Sequence, residues 1–461
     1  MLPISISMAA PSPLLEEIRI ISILTRLANL VRDHPIFEAH IHTLLDLHKL
    51  LAPIGDASYT RRGPVARCYP GTRLKVIAKI ENWIKDGGHR PILWLNGPAG
   101  SGKSAISQTI AERYEPRIAA SFFFLRGAGL RSQIQQLIPT LAHQASAYSS
   151  AASEFITEAL KLDPDLCRGK SFRHQWQKLL ITPIGVTRRC WIEKPIVVID
   201  ALDECNDKQS MSTFIEAITT ICNKPGFWLP FRLILTSRVE EHIQEQFNNP
   251  VTQSVINYLS LQKFDATEDI KLYLGTQLSE IYAIKKHLMM DVLLPWPSSS
   301  DLQQLSKNAA GSFIIASTLV GFIQREKGTP QNKLKVALNM TDGLDPVYNQ
   351  VITEALEANK ALNQKELQIL ELVLAVIIIL EKPFSIAALG KLVNLEASSI
   401  AYALLGLQAI LLIPENDYDE PVELFHTSLR DYLCIKERSR ELCINLQQSH
   451  ATLAIECLKL V

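Results

Sequence analysis

Eight consecutive residues, Gly97-Pro98-Ala99-Gly100-Ser101-Gly102-Lys103-Ser104, follow the spacing G-x-x-x-x-G-K-[ST] in full. Glycines in such a loop let successive backbone N–H groups converge on one point, which suits phosphate oxygens. The loop lies between an apolar run that reads as a strand, Pro91 to Asn96, and a helical run, Lys103 to Tyr114. The positive end of that helix adds to the anion site. Lys103 is placed to bridge the β- and γ-phosphates of a nucleoside triphosphate, and the Ser104 hydroxyl to ligate Mg²⁺.

Two further runs end in residues with matching chemistry. Ile196-Val197-Val198-Ile199-Asp200 is apolar up to its final acid, as in a central strand of a parallel sheet covered on both faces. Ligands bind at the C-terminal edge of open α/β sheets, so Asp200 is placed to hold Mg²⁺, through a water. Asp203 and Glu204 follow at once, and a carboxylate near the γ-phosphate can orient the attacking water. The residues alone do not say which of the two does so. Leu233-Ile234-Leu235-Thr236-Ser237-Arg238 is a third such strand, whose arginine can read the γ-phosphate with a bidentate geometry.

The elements that must position these groups alternate. Ala119–Leu125 reads as a further strand and Arg131–Ala152 as a helix. Residues 90 to 240 therefore predict a parallel α/β sheet with right-handed crossovers. Upstream, Leu14 to Leu51 has the spacing of two amphipathic helices broken near Pro35, suited either to partner contacts or to packing cover. A Gly/Pro/Arg-rich stretch, Pro53 to Gly71, separates them from the rest. After Val251 helical patterns dominate. Lys365–Leu380, Ser385–Leu392 and Ser398–Leu405, with a hairpin from Ile410–Pro414 and Val422–Phe425, predict a winged-helix module. The expected organisation is an N-terminal helical segment (1–60), a nucleotide-binding domain (61–250), a helical domain (251–340), a winged-helix-like domain (341–440) and the start of a C-terminal helical segment (441–461).

The 47 basic and 47 acidic side chains cancel, so no whole-chain attraction to nucleic acid or acidic membranes is expected. The helices of the predicted winged-helix module, Ser385 to Leu405, carry only Lys391 as a base. Duplex binding through phosphate neutralisation is therefore not expected. The eight cysteines are scattered without a C-x-x-C pair, as in an intracellular protein with reduced thiols. The longest apolar run, Leu372 to Leu380, is far short of the roughly 20 residues a membrane span needs. The expected location is the cytoplasm.

Several segments occur together in a telling order. They are Cys68-Tyr69-Pro70-Gly71-Thr72-Arg73 with Trp83, the glycine-rich loop, Asp200-Ala201-Leu202-Asp203-Glu204, Thr236-Ser237-Arg238, Gly311-Ser312-Phe313-Ile314-Ile315-Ala316, and Leu424-Phe425-His426-Thr427-Ser428-Leu429-Arg430-Asp431-Tyr432-Leu433. Over residues 60 to 435 the chain thereby resembles the NACHT family of signal-transducing (STAND) P-loop NTPases, in its fungal-type, nephrocystin-3-like N-terminal branch. The resemblance implies ATP (or GTP) with Mg²⁺, slow hydrolysis, and a switch between an ADP-bound closed form and an ATP-bound, self-assembling open form. It also implies protein partners, and a contact between His426 and the β-phosphate of ADP.

Two departures stand out. No proline stands in Gly311-Ser312-Phe313 to pack on the adenine. The chain also reaches Val461 without the WD, ankyrin or tetratricopeptide repeats of such proteins, so a sensor is expected to be missing, truncated or supplied by another protein. The rival readings are a nucleotide kinase or phosphotransferase, and a DNA-binding AAA-like ATPase. The first needs a second substrate pocket and a lid, which the helical C-terminal half does not predict.

Overall fold

The computed structural model describes residues 35–62, 65–86, 90–187, 193–324, 328–340, 343–360, 364–380, 382–404, 406–414 and 419–459. The helix expected upstream of Pro35 lies outside them. Among the described residues, contacts divide the chain into two units, one within Met1–Pro53 and Ile138–Cys190, the other within Ile54–Leu137 and Trp191–Val461.

In the smaller unit the helix Pro35–Leu51 packs against the helix Ser150–Leu162, with Leu47, Leu51, Ile156 and Leu160 buried. The helical stretch after residue 138 groups with the N-terminal helix rather than with the sheet, because their apolar faces meet. The single helix expected over Arg131–Ala152 is also broken. Two 3-10 turns precede a helix at Leu137–Tyr148, and Ser149 is extended before the next one begins.

The larger unit is built on five parallel strands: β1 (Ile92–Asn96), β2 (Ile118–Phe123), β3 (Ile196–Asp200), β4 (Arg232–Ser237) and β5 (Ile256–Ser260), in the order β2-β3-β4-β1-β5. Every residue of β1 to β4 is buried, and their sequences are apolar or small except at strand ends, where Asn96, Asp200 and Arg232 stand. β5 is the edge strand and only partly buried. It lies beyond residue 250, so the sheet extends past the expected domain boundary. Helices α1 (Leu74–Asp86) and α2 (Lys103–Arg113) cover one face, where Val76, Ile77, Ile80, Ile106 and Ile110 pack with Leu93, Leu95, Val198 and Ile234.

Register aligns the functional ends. Asn96 stands opposite Ser237, and Phe123 opposite Asp200, so the loops after β1, β3 and β4 leave the sheet along one edge. β4 separates β1 from β3 and brings Arg238 between the glycine-rich loop and the acidic run.

The helices that follow share one continuous buried core, from Ile270 through Phe322, Val351 and Val373 to Tyr432. They include α3 (Thr267–Lys285), α4 (Phe313–Gln324), α5 (Asp345–Lys360), α6 (Gln364–Ile379), α7 (Ile386–Val393) and α8 (Ala397–Ala403). Two short antiparallel strands, β6 (Leu411–Leu412) and β7 (Glu423–Leu424), lead into α9 (Ser428–Cys434). The architecture is an α/β P-loop NTPase fold followed by a helical region.

Candidate functional site

The glycine-rich loop closes the N-terminal end of α2. Its conformation requires glycine most clearly at Gly100, where φ is +70° and a Cβ would lie 2.2 Å from the Ile314 side chain. That close approach lets the Gly100 carbonyl accept hydrogen bonds from the backbone N–H groups of Phe313 (3.0 Å) and Ile314 (3.4 Å) at the start of α4. The helical region is thus fastened to the phosphate loop itself. Lys103 folds back on the same loop, its Nζ donating to the carbonyls of Gly97 (2.9 Å) and Pro98 (2.8 Å). Burial holds the ammonium below its ordinary pKa, so an anion in the cleft would meet a cation held by neutral carbonyls.

Beside the loop lies a cleft of about 610 Å³. Gly100, Gly102, Lys103 and Ser104 form one wall, Asp203, Glu204 and Arg238 another, and Phe425 and His426 a third. The structure therefore brings most of the expected site residues together. Gly97 is buried outside the lining, and Pro98 and Ser101 line a second cavity with Arg73 and Phe264, the Ser101 hydroxyl donating to the Pro98 carbonyl (2.9 Å).

Asp200 is buried at the end of β3. Its Oδ1 accepts from the Thr236 hydroxyl (2.6 Å), and that hydroxyl accepts in turn from the Ala201 N–H (2.9 Å). This clamp accompanies a left-handed Ala201, at φ 59° and ψ 53°, a conformation that costs a non-glycine residue roughly 1–2 kcal/mol. The kink sends Leu202–Glu204 into a 3-10 turn over the cleft.

The two acids of that turn differ. Asp203 is engaged by Arg238 on both oxygens, Oδ1 by the backbone N–H (2.8 Å) and Oδ2 by Nε (3.1 Å). Arg238, expected to face a γ-phosphate, thus holds Asp203 in this structure. Glu204 accepts a backbone N–H, from Arg126, at 3.1 Å. Burial, with Asp203 beside it, pushes the Glu204 carboxyl up to about 7.

His426 enters from the residues before α9. Its Nδ1 accepts the Ser428 N–H at 3.1 Å, and a backbone N–H can only donate. The neutral ring therefore carries its proton on Nε2. The Ser428 hydroxyl lies 2.6 Å from the same Nδ1 and 2.9 Å from the Tyr348 hydroxyl, so Tyr348 in α5 helps to fix the ring. Burial, then Arg238 and Lys103, push the imidazole down to about 4.

At the other end of the cleft Tyr69, Tyr273 and Phe313 meet edge to face, with ring centroids 5.3 and 6.3 Å apart. The Arg73 guanidinium lies 5.0 Å from the Phe313 centroid and donates to the Ser101 carbonyl (2.8 Å). No pattern marks Tyr273, Arg126 or Tyr348 in the sequence, and the structure alone adds them. No group of three or more His, Cys, Asp or Glu that could hold a metal on its own occurs among the described residues. Of the two residues expected to hold Mg²⁺, Ser104 lines the cleft, whereas Asp200, buried and bonded to Thr236, does not. Among the described residues no helix is long and apolar enough to cross a membrane.

Residues 73–238 match the family described as Nephrocystin 3, N-terminal. No curated protein matches the chain. Solved structures that resemble it include a Walker-type ATPase of Pyrococcus abyssi, 14% identical, covering 81% of this chain and 98% of that one at a TM-score of 0.39. Another is the Aeropyrum pernix ORC1 protein in complex with DNA, 15% identical, covering 82% and 94% at a TM-score of 0.34. Thermotoga maritima RuvB, a Holliday junction branch migration motor, is 14% identical, covering 78% and 94% at a TM-score of 0.27.

Proposed function

We propose that this chain is a nucleotide-operated switch of the NACHT type. It binds ATP or ADP with Mg²⁺, hydrolyses ATP slowly, and couples the bound nucleotide to the docking of its winged-helix-like C-terminal module. The observation that carries this reading is His426. A residue from the C-terminal module lines the same cleft as Lys103 and Arg238, with its one available N–H on the ring nitrogen that Ser428 leaves free. That donor suits a phosphate oxygen. Lys103 and the loop N–H groups would hold the phosphates, Ser104 and Asp200 the Mg²⁺, and Glu204 or Asp203 the attacking water. Protein partners and self-association belong to the same proposal, since a switch acts through what it assembles with.

A switch needs each nucleotide to favour one conformation, because equal affinity for both shifts nothing. A hydrogen bond to a charged phosphate is worth roughly 1.5–3 kcal/mol, one to two decades in such an equilibrium. His426→Leu is therefore expected to weaken ADP binding about ten- to a hundredfold while leaving ATP nearly unchanged, and to raise the self-associated fraction. Lys103→Ala is expected to weaken both nucleotides. Calorimetric affinities and light-scattering mass of the full chain decide it. Equal losses for the two nucleotides in His426→Leu, with no change in mass, would reduce His426 to a structural residue.

A further inference from the structure

The loop after β2 carries no motif, yet it touches both acids and the C-terminal module. The Arg126 backbone N–H donates to Glu204 Oε2 (3.1 Å), and its guanidinium donates to the Asp203 carbonyl (3.0 Å). Arg430, in α9, donates to the Arg126 carbonyl (3.3 Å) and to the Leu380 carbonyl (3.2 Å) just beyond α6. Arg126 is thus held by the acid turn on one side and by the C-terminal module on the other.

The residues around it make room for this grip. At Gly127, with φ +70°, a Cβ would lie 1.5 Å from Arg430 Nη1. At Gly129, with φ +54°, a Cβ would come within 3.0 Å of Lys382 Cε. Two cationic side chains from the C-terminal half therefore pack on one short loop. Arg430 Nε has no hydrogen-bond partner among the described residues, which is costly in a buried place. Stability alone is a poor account of why an arginine stands there.

We infer that Arg430 is a positioning residue that brakes hydrolysis: docked, it pins the Arg126 loop, whose N–H holds Glu204 Oε2 and fixes how that carboxylate is turned in the cleft. The inference rests on the switch reading above. In the docked form Asp203 is fully engaged by Arg238, and Glu204 Oε2 by Arg126. An attacking water must compete with those donors at Asp203 and at Glu204 Oε2. Undocking the module withdraws Arg430, loosens the loop and frees Glu204 Oε2 within the cleft that the carboxylate already lines. His426 and Arg430 then act from the same module on different parts of the site, one on the phosphates and one on the acid.

The test is steady-state ATP hydrolysis by the full chain, with ATP binding measured separately. Arg430→Met is expected to raise kcat about three- to tenfold, with KM for ATP within about twofold of wild type. Arg430→Lys, which restores one donor, is expected to return kcat toward the wild-type value. Gly127→Ala keeps Arg430 but places a methyl group against its guanidinium, and is expected to raise kcat likewise. It decides the matter should Arg430→Met not fold. Unchanged or lower kcat in the folded variants, with ATP binding kept, overturns the brake and leaves the switch reading intact. A rise that Arg430→Lys does not reverse also overturns it, because it marks general loosening. A wild type that binds no ATP removes both.

Discussion

Glu204 and His426 face one cleft with their acidities pushed apart, and each leaves a signature in how stability depends on pH. For Glu204 the folded value of about 7 lies above the ordinary 4.5. The folded chain therefore holds a proton that the unfolded chain releases between those values, and stability falls as pH rises through that window, by at most about 3 kcal/mol. For His426 the folded value of about 4 lies below the ordinary 6.5, so stability falls instead as pH drops from 6.5 toward 4. Glu204→Gln is expected to melt higher than wild type at pH 8, with the gap closing below about pH 5, while ATP still binds and hydrolysis slows. A melting difference that is constant across pH 5 to 8 would contradict the assignment. The sequence could not choose between Asp203 and Glu204, since both sit in one 3-10 turn with no spacing to separate them. What separates them is Arg238, whose backbone N–H and Nε both bond to Asp203.

At the scale of elements, the central strands were legible because they are apolar or small at nearly every position. β5 was not. Ile256-Asn257-Tyr258-Leu259-Ser260 mixes partly buried polar residues and an exposed Tyr258 into an edge strand, and nothing local distinguishes it from a loop. The order of strands was equally hidden, and it matters most at β4. Its Thr236 ties Asp200 to the Ala201 N–H, so a residue whose own role the sequence does not show aims the expected Mg²⁺ ligand. Thr236→Val keeps the shape but removes both bonds. It is expected to cost about 1–3 kcal/mol of stability and to weaken the Mg²⁺ dependence of nucleotide binding. Chemical denaturation and a Mg²⁺ titration with ATP present would check this; an unchanged Mg²⁺ dependence would leave Asp200 without need of its clamp.

The molecule as a whole departs most from what periodicity predicts. Helical spacing predicts one helix over Arg131–Ala152 and leaves the residues after it unread, and the grouping of residues 138–190 with the N-terminal helix depends on contacts across a hundred residues. Likewise, residues 251–340 and 341–440 read as two modules, yet one buried core runs through both. The resemblance motifs carried the site further than periodicity could, because each names a residue rather than a pattern. They missed Arg126, which belongs to no motif and matters only through what it touches. A chain ending at residue 250 loses β5 and leaves one edge of β1 unpaired, an arrangement prone to edge-to-edge association. One ending at residue 263 keeps Ile256–Ser260 and Leu261. Size-exclusion chromatography is expected to show aggregation of the shorter chain and a larger monodisperse fraction of the longer; equal profiles would mean that β5 does not guard the edge.

The contact at Gly127 is defined by a missing side chain, and this has an evolutionary reading. Any residue larger than glycine there collides with Arg430, while a shorter side chain at 430 would leave the space open. The two positions should therefore drift together, and lineages that replace the glycine should be those that have given up the arginine. The same logic predicts non-additive thermodynamics: Gly127→Ala is expected to be less harmful to stability in an Arg430→Ala background than alone, with a coupling of about 0.5–3 kcal/mol. A double-mutant cycle in denaturant would register it, and strict additivity would mean that the two residues have no stake in one another.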